Sequence, residues 1–289
     1  MLLQNELVRS LNRCIVKYVS AKSAFVRLQR LAMTTFWATI LVFLFGYMIN
    51  AFYITVLYHR GLTHRAIEMK PALEKWLAFS GPWLTGIDPK AWACMHRLHH
   101  LHSDTEHDPH SPVHYGIFGV MLGQLRSYEK ILRRLKRGDP QYTDVVSDIK
   151  FDVHVLNRKK LWPVPYILHL GIAVAVGYAF GSTWVGAAYF LGIMSHPIQG
   201  WLVNSFAHHS GYRNFDSADN SKNNTLVAIF VFGEGFQNNH HSRPFAANFA
   251  VKPTEVDMGY WLCLGAEKLG MIKIPRGAES PQSEMNHAY

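Results

Sequence analysis

Residues 33–58 read MTTFWATILVFLFGYMINAFYITVLY, an apolar stretch without a charged side chain. It is longer than the roughly 20 residues that an α-helix needs to cross a bilayer. Two further apolar segments, residues 161–181 and 182–204, follow one another closely and predict a hairpin of two helices. Three such stretches are rare in a water-soluble chain, so we expect an all-α, integral membrane helical bundle.

The segments around these spans divide the chain of 289 residues into three parts. Residues 1–32 alternate apolar and basic side chains at near-helical spacing, which fits an amphipathic helix on the membrane surface or an ordinary solvated helix. Residues 33–274 form the predicted membrane domain. Within it, residues 71–95 are interrupted by Gly-Pro and Asp-Pro, which favours an interfacial segment over a further span. Residues 275–289 have low hydrophobicity and are predicted to be disordered.

The net charge of +9 comes largely from residues 126–160 and from the flanks of the apolar segments. Membrane helices carry such an excess of Lys and Arg on their cytoplasmic side. The basic residues stand in no recognisable nucleic-acid motif, so nucleic acid is not expected as a partner. The three cysteines, at positions 14, 94 and 263, are widely spaced and predict neither a disulfide framework nor a metal site.

Histidine is unusually frequent, with 17 residues in the chain. Four short motifs concentrate it, each just after an apolar segment: HRGLTH (His59, His64), HRLHH (His96, His99, His100), NSFAHH (Asn204, His208) and QNNHH (Gln237, His240, His241). Residues at i, i+3 and i+4 share one helical face, so each His-x-x-His-His motif can direct its side chains into one site. His59 and His64 are five residues apart and off one α-helical face, although Gly61 between them can loosen the helix.

The motifs form a nitrogen-rich donor set. Imidazole suits iron, copper, zinc and nickel, whereas the near absence of carboxylates argues against magnesium and calcium. Eight convergent histidines exceed the needs of one ion, so two metals are expected, and an all-nitrogen site of this kind points to iron and oxygen chemistry. The alternative is that these histidines are hydrogen-bonded polar side chains at the membrane interface without a metal. It is disfavoured because polar side chains near a bilayer cost free energy and are seldom kept there without a function. Asp108 and Glu234 are candidate acceptors for ligand N–H groups. Four other histidines are either incidental or support the ligands: His102, His107, His110 and His114.

At these motifs the chain resembles the membrane-bound fatty acyl desaturases, in particular the stearoyl-CoA (acyl-CoA) desaturase-like branch. That family carries His-x4-His, two His-x-x-His-His boxes, an Asn-x-x-x-His element before Gly-Tyr-Arg, and Gly-Glu-Gly before the last box. The matching stretches here are HRGLTH, HRLHH, NSFAHHSGYR and GEGFQNNHH, with EHDPHSP and DMGYW as further family-like elements. The resemblance extends from about residue 51 to residue 241.

The resemblance implies a bundle of membrane helices with a cytosolic helical cap that holds two irons (Fe2+/Fe3+). By motif, eight histidines would be the ligands: His59, His64, His96, His99, His100, His208, His240 and His241. Asn204 would hold one metal through a water. The family's ninth histidine falls on Gln237, whose amide oxygen can coordinate or bind a water, but more weakly than imidazole. Trp201 is a candidate wall of an acyl-chain tunnel, or a packing aromatic.

The implied reaction is the oxygen-dependent introduction of a cis double bond into a long saturated acyl chain. Its substrate would be an acyl-CoA or an acyl-lipid, and O2 would be the co-substrate. No electron-transfer motif is evident in the sequence, so two electrons would come from a separate ferredoxin, rubredoxin or cytochrome b5 type donor with its reductase. The implied location is a lipid bilayer with the active site facing the cytoplasm, the bacterial inner membrane being favoured over the endoplasmic reticulum. A hydroxylase or other lipid oxidase on the same scaffold, or a non-catalytic metal-binding derivative, are the alternatives.

Overall fold

A computed structural model describes residues 2–276 of the chain, with side chains described at 18, 20, 22 and 23 and from 25 onward. Helices account for nearly all of its regular structure, as the sequence predicts. The exception is one antiparallel two-stranded ladder, in which Glu68 faces Lys273 and Met69 faces Ile272. Nearly all of the predicted disordered tail, residues 275–289, lies outside the described residues.

The regular elements of the described residues follow one another along the chain. The α-helices are α1 (Leu2–Ala51), α2 (Pro71–Thr85), α3 (Pro89–His102), α4 (Pro112–Lys136), α5 (Pro140–Thr143), α6 (Val155–Arg158), α7 (Pro163–Ala179), α8 (Thr183–Ile193), α9 (His196–Trp201), α10 (Ala207–His209), α11 (Thr225–Phe230), α12 (Gln237–Ser242) and α13 (Met258–Lys268). Two stretches are π-helical, Phe52–Thr63 and Leu202–Phe206, and Asp144–Val146 is a 3₁₀ turn. The strands are β1 (Glu68–Met69) and β2 (Ile272–Lys273).

The first helix continues directly into the first π-helical stretch. Within the described residues, Phe25–Thr63 is the one helix that is both long and apolar enough to cross a bilayer. It includes the predicted span, residues 33–58, and extends beyond it at both ends. The basic segment, as described from Leu2 to residue 32, runs into the same helix without a break.

The predicted hairpin of residues 161–204 is present in altered form. α7 and α8 are joined at Gly181, whose φ of 60° is readily adopted by glycine. α8 has 11 residues and ends at Ile193, so residues 182–204 are not one helix. At about 1.5 Å per residue, α8 is about 16 Å long, roughly half the hydrocarbon thickness of a bilayer. Pro197 then lies in the first turn of a new helix, α9, a position that proline favours.

Small residues allow α1, α7 and α8 to pack closely. A Cβ atom at Gly192 would lie 2.4 Å from the carbonyl oxygen of Phe43, and one at Gly186 would lie 2.3 Å from that of Ala173. Close contact through glycine is typical of helix interfaces in membranes. The outward sides of these helices carry large exposed apolar side chains: Trp37, Phe45, Tyr178 and Trp184.

The apolar stretch of residues 71–95, the predicted interfacial segment, contains α2 and the first half of α3. Gly86, with a φ of 76°, ends α2. Asp88 then caps α3, because its carboxylate accepts from the amides of Lys90 and Ala91 at 3.0 and 3.1 Å. α3 packs against the π-helical stretch Phe52–Thr63, which places the HRLHH motif beside HRGLTH.

Candidate metal centre

The first histidine motif owes its geometry to the π-helical stretch Phe52–Thr63. The amide of His64 donates to the carbonyl oxygen of His59 at 3.1 Å, a bond between residues five apart. This is the hydrogen bond of a π-helix, whose wider turn brings such residues together. The centroids of the two rings are 4.9 Å apart. The sequence places this pair off one α-helical face, and the change of winding corrects that prediction.

α3 sends the histidines of the second motif in two directions. The Nε2 atoms of His96 and His100 are 3.0 Å apart. His99 faces elsewhere, and its ring centroid lies 5.1 Å from that of His241. At about 100° per residue, His99 and His100 project to opposite sides of His96. The motif spans about 100° of the helix surface, so His96 and His100 join one cluster of possible ligands and His99 joins another.

The third motif, on α12, divides in the same way. The Nε2 atom of His240 is 3.0 Å from that of His59, whereas the ring of His241 lies 5.0 Å from that of His208 on α10. Two clusters result, and the potential ligand atoms in each lie within 4.8 Å of one another. The first cluster is His59, His64, His96, His100 and His240, and the second cluster is His99, His208 and His241.

The nitrogen atoms of the first cluster are spaced like the ligands of one metal ion. The Nε2 atoms of His59 and His96 are 2.8 Å apart, and those of His100 and His240 are 2.9 Å apart. Two ligands at right angles, each about 2.1 Å from a metal, are about 3.0 Å apart. Burial, reinforced by neighbouring imidazoles, lowers the pKa of His96, His100 and His240 well below its usual value. These rings are therefore neutral near pH 7 and have a lone pair for a metal.

The second cluster presents three buried Nε2 atoms without a hydrogen-bond partner among the described residues. The other nitrogen of each ring donates to an aspartate: His99 Nδ1 to Asp108 at 2.9 Å, His208 Nδ1 to Asp104 at 3.3 Å and His241 Nδ1 to Asp219 at 2.5 Å. Histidines that bind metals use one nitrogen for the ion and donate the other N–H to a carboxylate in this way. The three unpaired nitrogens therefore fit a metal ion.

The aspartates of the second cluster are ionised. Burial raises the pKa of Asp104, but the hydrogen bond from His208 outweighs it and lowers the pKa to about 2. Burial and His99 act in the same opposed way on Asp108, and the pKa of that carboxyl is far below its usual range. These negative charges offset the positive charge of a bound cation.

At the first cluster, Glu234 is the carboxylate that accepts a hydrogen bond from a cluster histidine. Its Oε2 atom accepts from His59 Nδ1 at 2.6 Å, and its Oε1 atom accepts from Arg60 Nη1 at 2.8 Å. Arg60 is fully buried, and its Nη2 atom donates to Asp257 at 2.9 Å. Its guanidinium lies 3.9 Å from the ring centroid of Phe249. This network fixes the orientation of His59.

A largely apolar cavity reaches the first cluster. Its wall includes the side chains of His59 and His96 together with Ile54, Trp92 and Val203. The ring of Trp92 stacks on that of His96, with centroids 5.2 Å apart and planes 8° from parallel.

Trp201, the predicted tunnel wall, is not among the residues that line this cavity. Its Nε1 atom donates to the carbonyl oxygen of Ile117 at 2.7 Å, and its ring packs beside Phe118 and Phe206. Trp92 lines the cavity instead.

The family model described as Fatty acid desaturase matches residues 34–253. The chain belongs to the fatty acid desaturase family. It is 32% identical to the hex-5-enoyl-[acyl-carrier protein] acetylenase of Moorena producens (strain JHB), over 75% of this chain and 71% of that protein. It is 31% identical to the sn-1 stearoyl-lipid 9-desaturase of Anabaena variabilis, over 85% and 87% of the two chains. It is 29% identical to the icosanoyl-CoA 5-desaturase of Limnanthes douglasii, over 88% and 69%.

These matches confirm the resemblance that the histidine motifs carry, and the desaturase is accordingly an oxidoreductase of lipid metabolism. Its relatives act on differently attached acyl groups by name, namely carrier-protein, lipid and CoA derivatives. The sequence identities do not indicate which of these three substrate classes the chain uses, because all three lie between 29% and 32%.

Gln237 and Asn204 of the desaturase both line the cavity. Gln237 is buried, its Nε2 atom donates to the carbonyl oxygen of Glu234 at 2.7 Å, and its Oε1 atom has no partner among the described residues. Asn204 donates to the side-chain oxygen of Gln124 at 3.4 Å. Neither amide has a hydrogen bond to a cluster histidine among the described contacts, so both retain an oxygen for a metal or its water.

Sequence reasoning missed several residues of the site. Asp104 and Asp219 lie in polar loops, and their distances along the chain from the histidines they hold, 104 and 22 residues, give no periodic signal. Asp104 lies four residues after His100, the last residue of HRLHH, which is the one hint available. Arg60 and Asp257 were missed because a buried ion pair between residues 197 apart leaves no local pattern.

Proposed function

We propose that the chain is a membrane-bound diiron fatty acyl desaturase that introduces a cis double bond into a long saturated acyl chain. The observation that carries the proposal is the pair of adjacent histidine clusters, with His99 and His100 on neighbouring positions of α3 facing different clusters. One ion would be held by the five imidazoles of the first cluster. The other would be held by the three of the second, with Asn204 through a water and Gln237 at its open side.

The donor set favours iron among the metals that imidazole binds. Zinc has no redox chemistry and could not take part in the oxidation that defines the family. Bound iron supplies O2 activation with two electrons from a separate donor protein of ferredoxin, rubredoxin or cytochrome b5 type. The overall change balances: two C–H bonds of the chain break and one C=C bond forms. O2 takes four electrons, two from the chain and two from the donor, and four protons, two from the broken C–H bonds and two from the solvent, and becomes two waters.

The protein's own residues position the substrate and the ligands. The apolar wall of the cavity, with Ile54 and Val203, would hold the methylenes beside the histidine clusters and exclude water. Trp92 stiffens one side of this wall through its stacking on His96. The carboxylates of Asp104, Asp108 and Glu234 hold the imidazole rings in one orientation, which keeps the distance between metal and chain constant.

A lipid bilayer is the proposed surrounding. The helix Phe25–Thr63 is long enough to cross it, and α7 and α8 are shorter apolar helices packed on it. Tyr178 and Trp184 are 90% and 75% exposed, so lipid rather than water is the favourable neighbour for this face. We place the histidine clusters on the cytoplasmic side, in a bacterial inner membrane. The proposed substrate is a long acyl chain attached to CoA or to a lipid.

The fatty-acid profile of a host that expresses the protein tests this function. We expect a new monounsaturated acid with wild type and none with His100→Ala, which removes a nitrogen from the first cluster. His287→Ala, near the C-terminus and outside the motifs, is the matched control and should retain the product. A hydroxylated acid without a new alkene would show oxidation of another kind. A double bond still formed by His100→Ala would refute the proposed site.

A further inference from the structure

The two clusters are unequal in the number of imidazoles they offer. The first has five histidines and the second has three. Gln237 stands where the family's ninth histidine falls, and its amide oxygen has no partner among the described residues. If both clusters hold iron, the second ion has fewer nitrogen ligands than the first. A further donor beside the second cluster would reduce this difference.

His110 is a buried histidine that has no partner for either of its ring nitrogens. Its side chain is among the largest fully buried ones, at 1% exposure. Neither Nδ1 nor Nε2 has a hydrogen-bond partner among the described residues. A neutral imidazole carries one donor and one acceptor, and buried groups of this kind are almost always paired. Both nitrogens of His110 are thus free for a ligand that the protein itself does not provide.

His110 lies directly against the second cluster. The centroid of its ring is 4.4 Å from that of His99, and the two planes are 30° from parallel. One potential ligand atom each of His99, Asp108 and His110 lie within 4.8 Å of one another. Two imidazoles bound at right angles to one ion, each nitrogen about 2.1 Å from the metal, have ring centroids about 4.5 Å apart, so the separation of His99 and His110 is compatible with a shared metal.

The loop that carries His110 is built around the second cluster. The Asp108 carboxylate, which accepts from His99, also accepts from the backbone amide of His110 at 2.9 Å and from that of Asp104 at 2.7 Å. Asp104 in turn accepts from His208. The same two carboxylates thus orient two cluster histidines and fix the position of His110. His110 also lines the cavity that Gln237 and Asn204 line.

We propose that His110 is a ligand of the second metal, a nitrogen donor that compensates for the glutamine at position 237. The inference rests on the proposed dimetal centre and adds one protein ligand to it. In this arrangement the second ion has four imidazoles, from His99, His110, His208 and His241. His110 groups with His99 and Asp108 rather than with His208 and His241, so its ring moves toward those two when the metal binds. Gln237 and Asn204 then bind a water or a weak sixth ligand on the cavity side.

Cobalt(II) titration of the purified, metal-free protein tests the proposal. The measurements are the metal bound per chain, the two dissociation constants and the visible d–d absorption. Wild type should bind two Co2+. His110→Ala should keep one tight site and bind the second ion more than about 100-fold more weakly, beyond the 10–100-fold that is typical of residues outside the ligand set. The d–d bands of that second ion should also change.

Three further variants make the result specific. His107→Ala removes an exposed histidine of the same loop and should match wild type in both sites. The double variant His110→Ala/Gln237→His should recover the second tight site, because it returns an imidazole to the other position. His110→Asn keeps a polar side chain for the case that the alanine variant does not fold, and it should show the same loss.

The outcomes separate the inference from the function on which it rests. Fewer than two Co2+ bound to wild type would overturn the dimetal centre and the role of His110 with it. Two ions bound to wild type and to both His110 variants, with the same affinities and spectrum, would overturn the role of His110 alone. A weakened second site that Gln237→His does not restore would identify His110 as a support of the fold rather than a ligand.

Discussion

Glu234→Gln is expected to weaken both the fold and the metal centre. The carboxylate accepts from His59 at 2.6 Å and from Arg60 at 2.8 Å, and all three side chains are buried. Removal of one partner from a buried ion pair costs about 3–5 kcal/mol. Asp257 remains 2.9 Å from the guanidinium, so we expect the lower end, about 3 kcal/mol. With about 2–4 °C per kcal/mol for a chain of this size, the melting temperature should fall by about 6–12 °C.

The assay is thermal unfolding of the detergent-purified protein, with iron per chain measured on the same sample. Iron affinity should fall about 10- to 100-fold, because the glutamine no longer holds the His59 ring as a carboxylate does. Glu74→Gln is the control, since the Arg65–Glu74 pair at 3.5 Å is about 30% exposed and contributes about 0–1 kcal/mol. Equal melting temperatures and iron contents for the two variants would refute the reasoning.

Three further outcomes follow from the structure. Asp219→Asn should reduce the occupancy of the second metal by about 10- to 100-fold while the first stays bound, as metal analysis would show; equal loss of both ions would contradict the division into two clusters. Gly192→Ala should lower the melting temperature, since its Cβ would lie 2.4 Å from the Phe43 carbonyl oxygen, whereas Gly171→Ala meets no atom within 4 Å and should not. The metal-free protein should lose stability as pH falls from about 7 to 5. Burial lowers the pKa of three first-cluster histidines in the folded state, so the unfolded chain binds more protons below its own pKa of about 6.5. A melting temperature constant over this range would exclude that linkage.

Features that depend on local spacing can be predicted from the sequence. Features that form where distant segments of the chain meet cannot. The long apolar helix and the histidine motifs are visible because hydropathy and spacing are local properties. The end of α8 at Ile193 is less visible, because the apolar run continues past it and only Pro197 marks the break. The π-helical turn at His59 and His64 is a change of winding that spacing alone does not specify.

The assignment of the histidines to two clusters also could not be predicted from local spacing. The histidines of a His-x-x-His-His motif lie on one side of a helix, yet its two adjacent histidines reach different clusters, which form only when α3, α10 and α12 meet. The aspartates that orient the second cluster come from two loops far apart in the chain, at Asp104 and Asp219. Their roles depend on tertiary contacts and could be recognised only from the structure.

The most direct test of the central claim is the iron content of wild-type protein purified without oxygen, with its Mössbauer spectrum. The account predicts two irons per chain in two distinct nitrogen environments, one for each cluster. One iron per chain or fewer after anaerobic reconstitution with Fe2+, or a single environment for both ions, would contradict it.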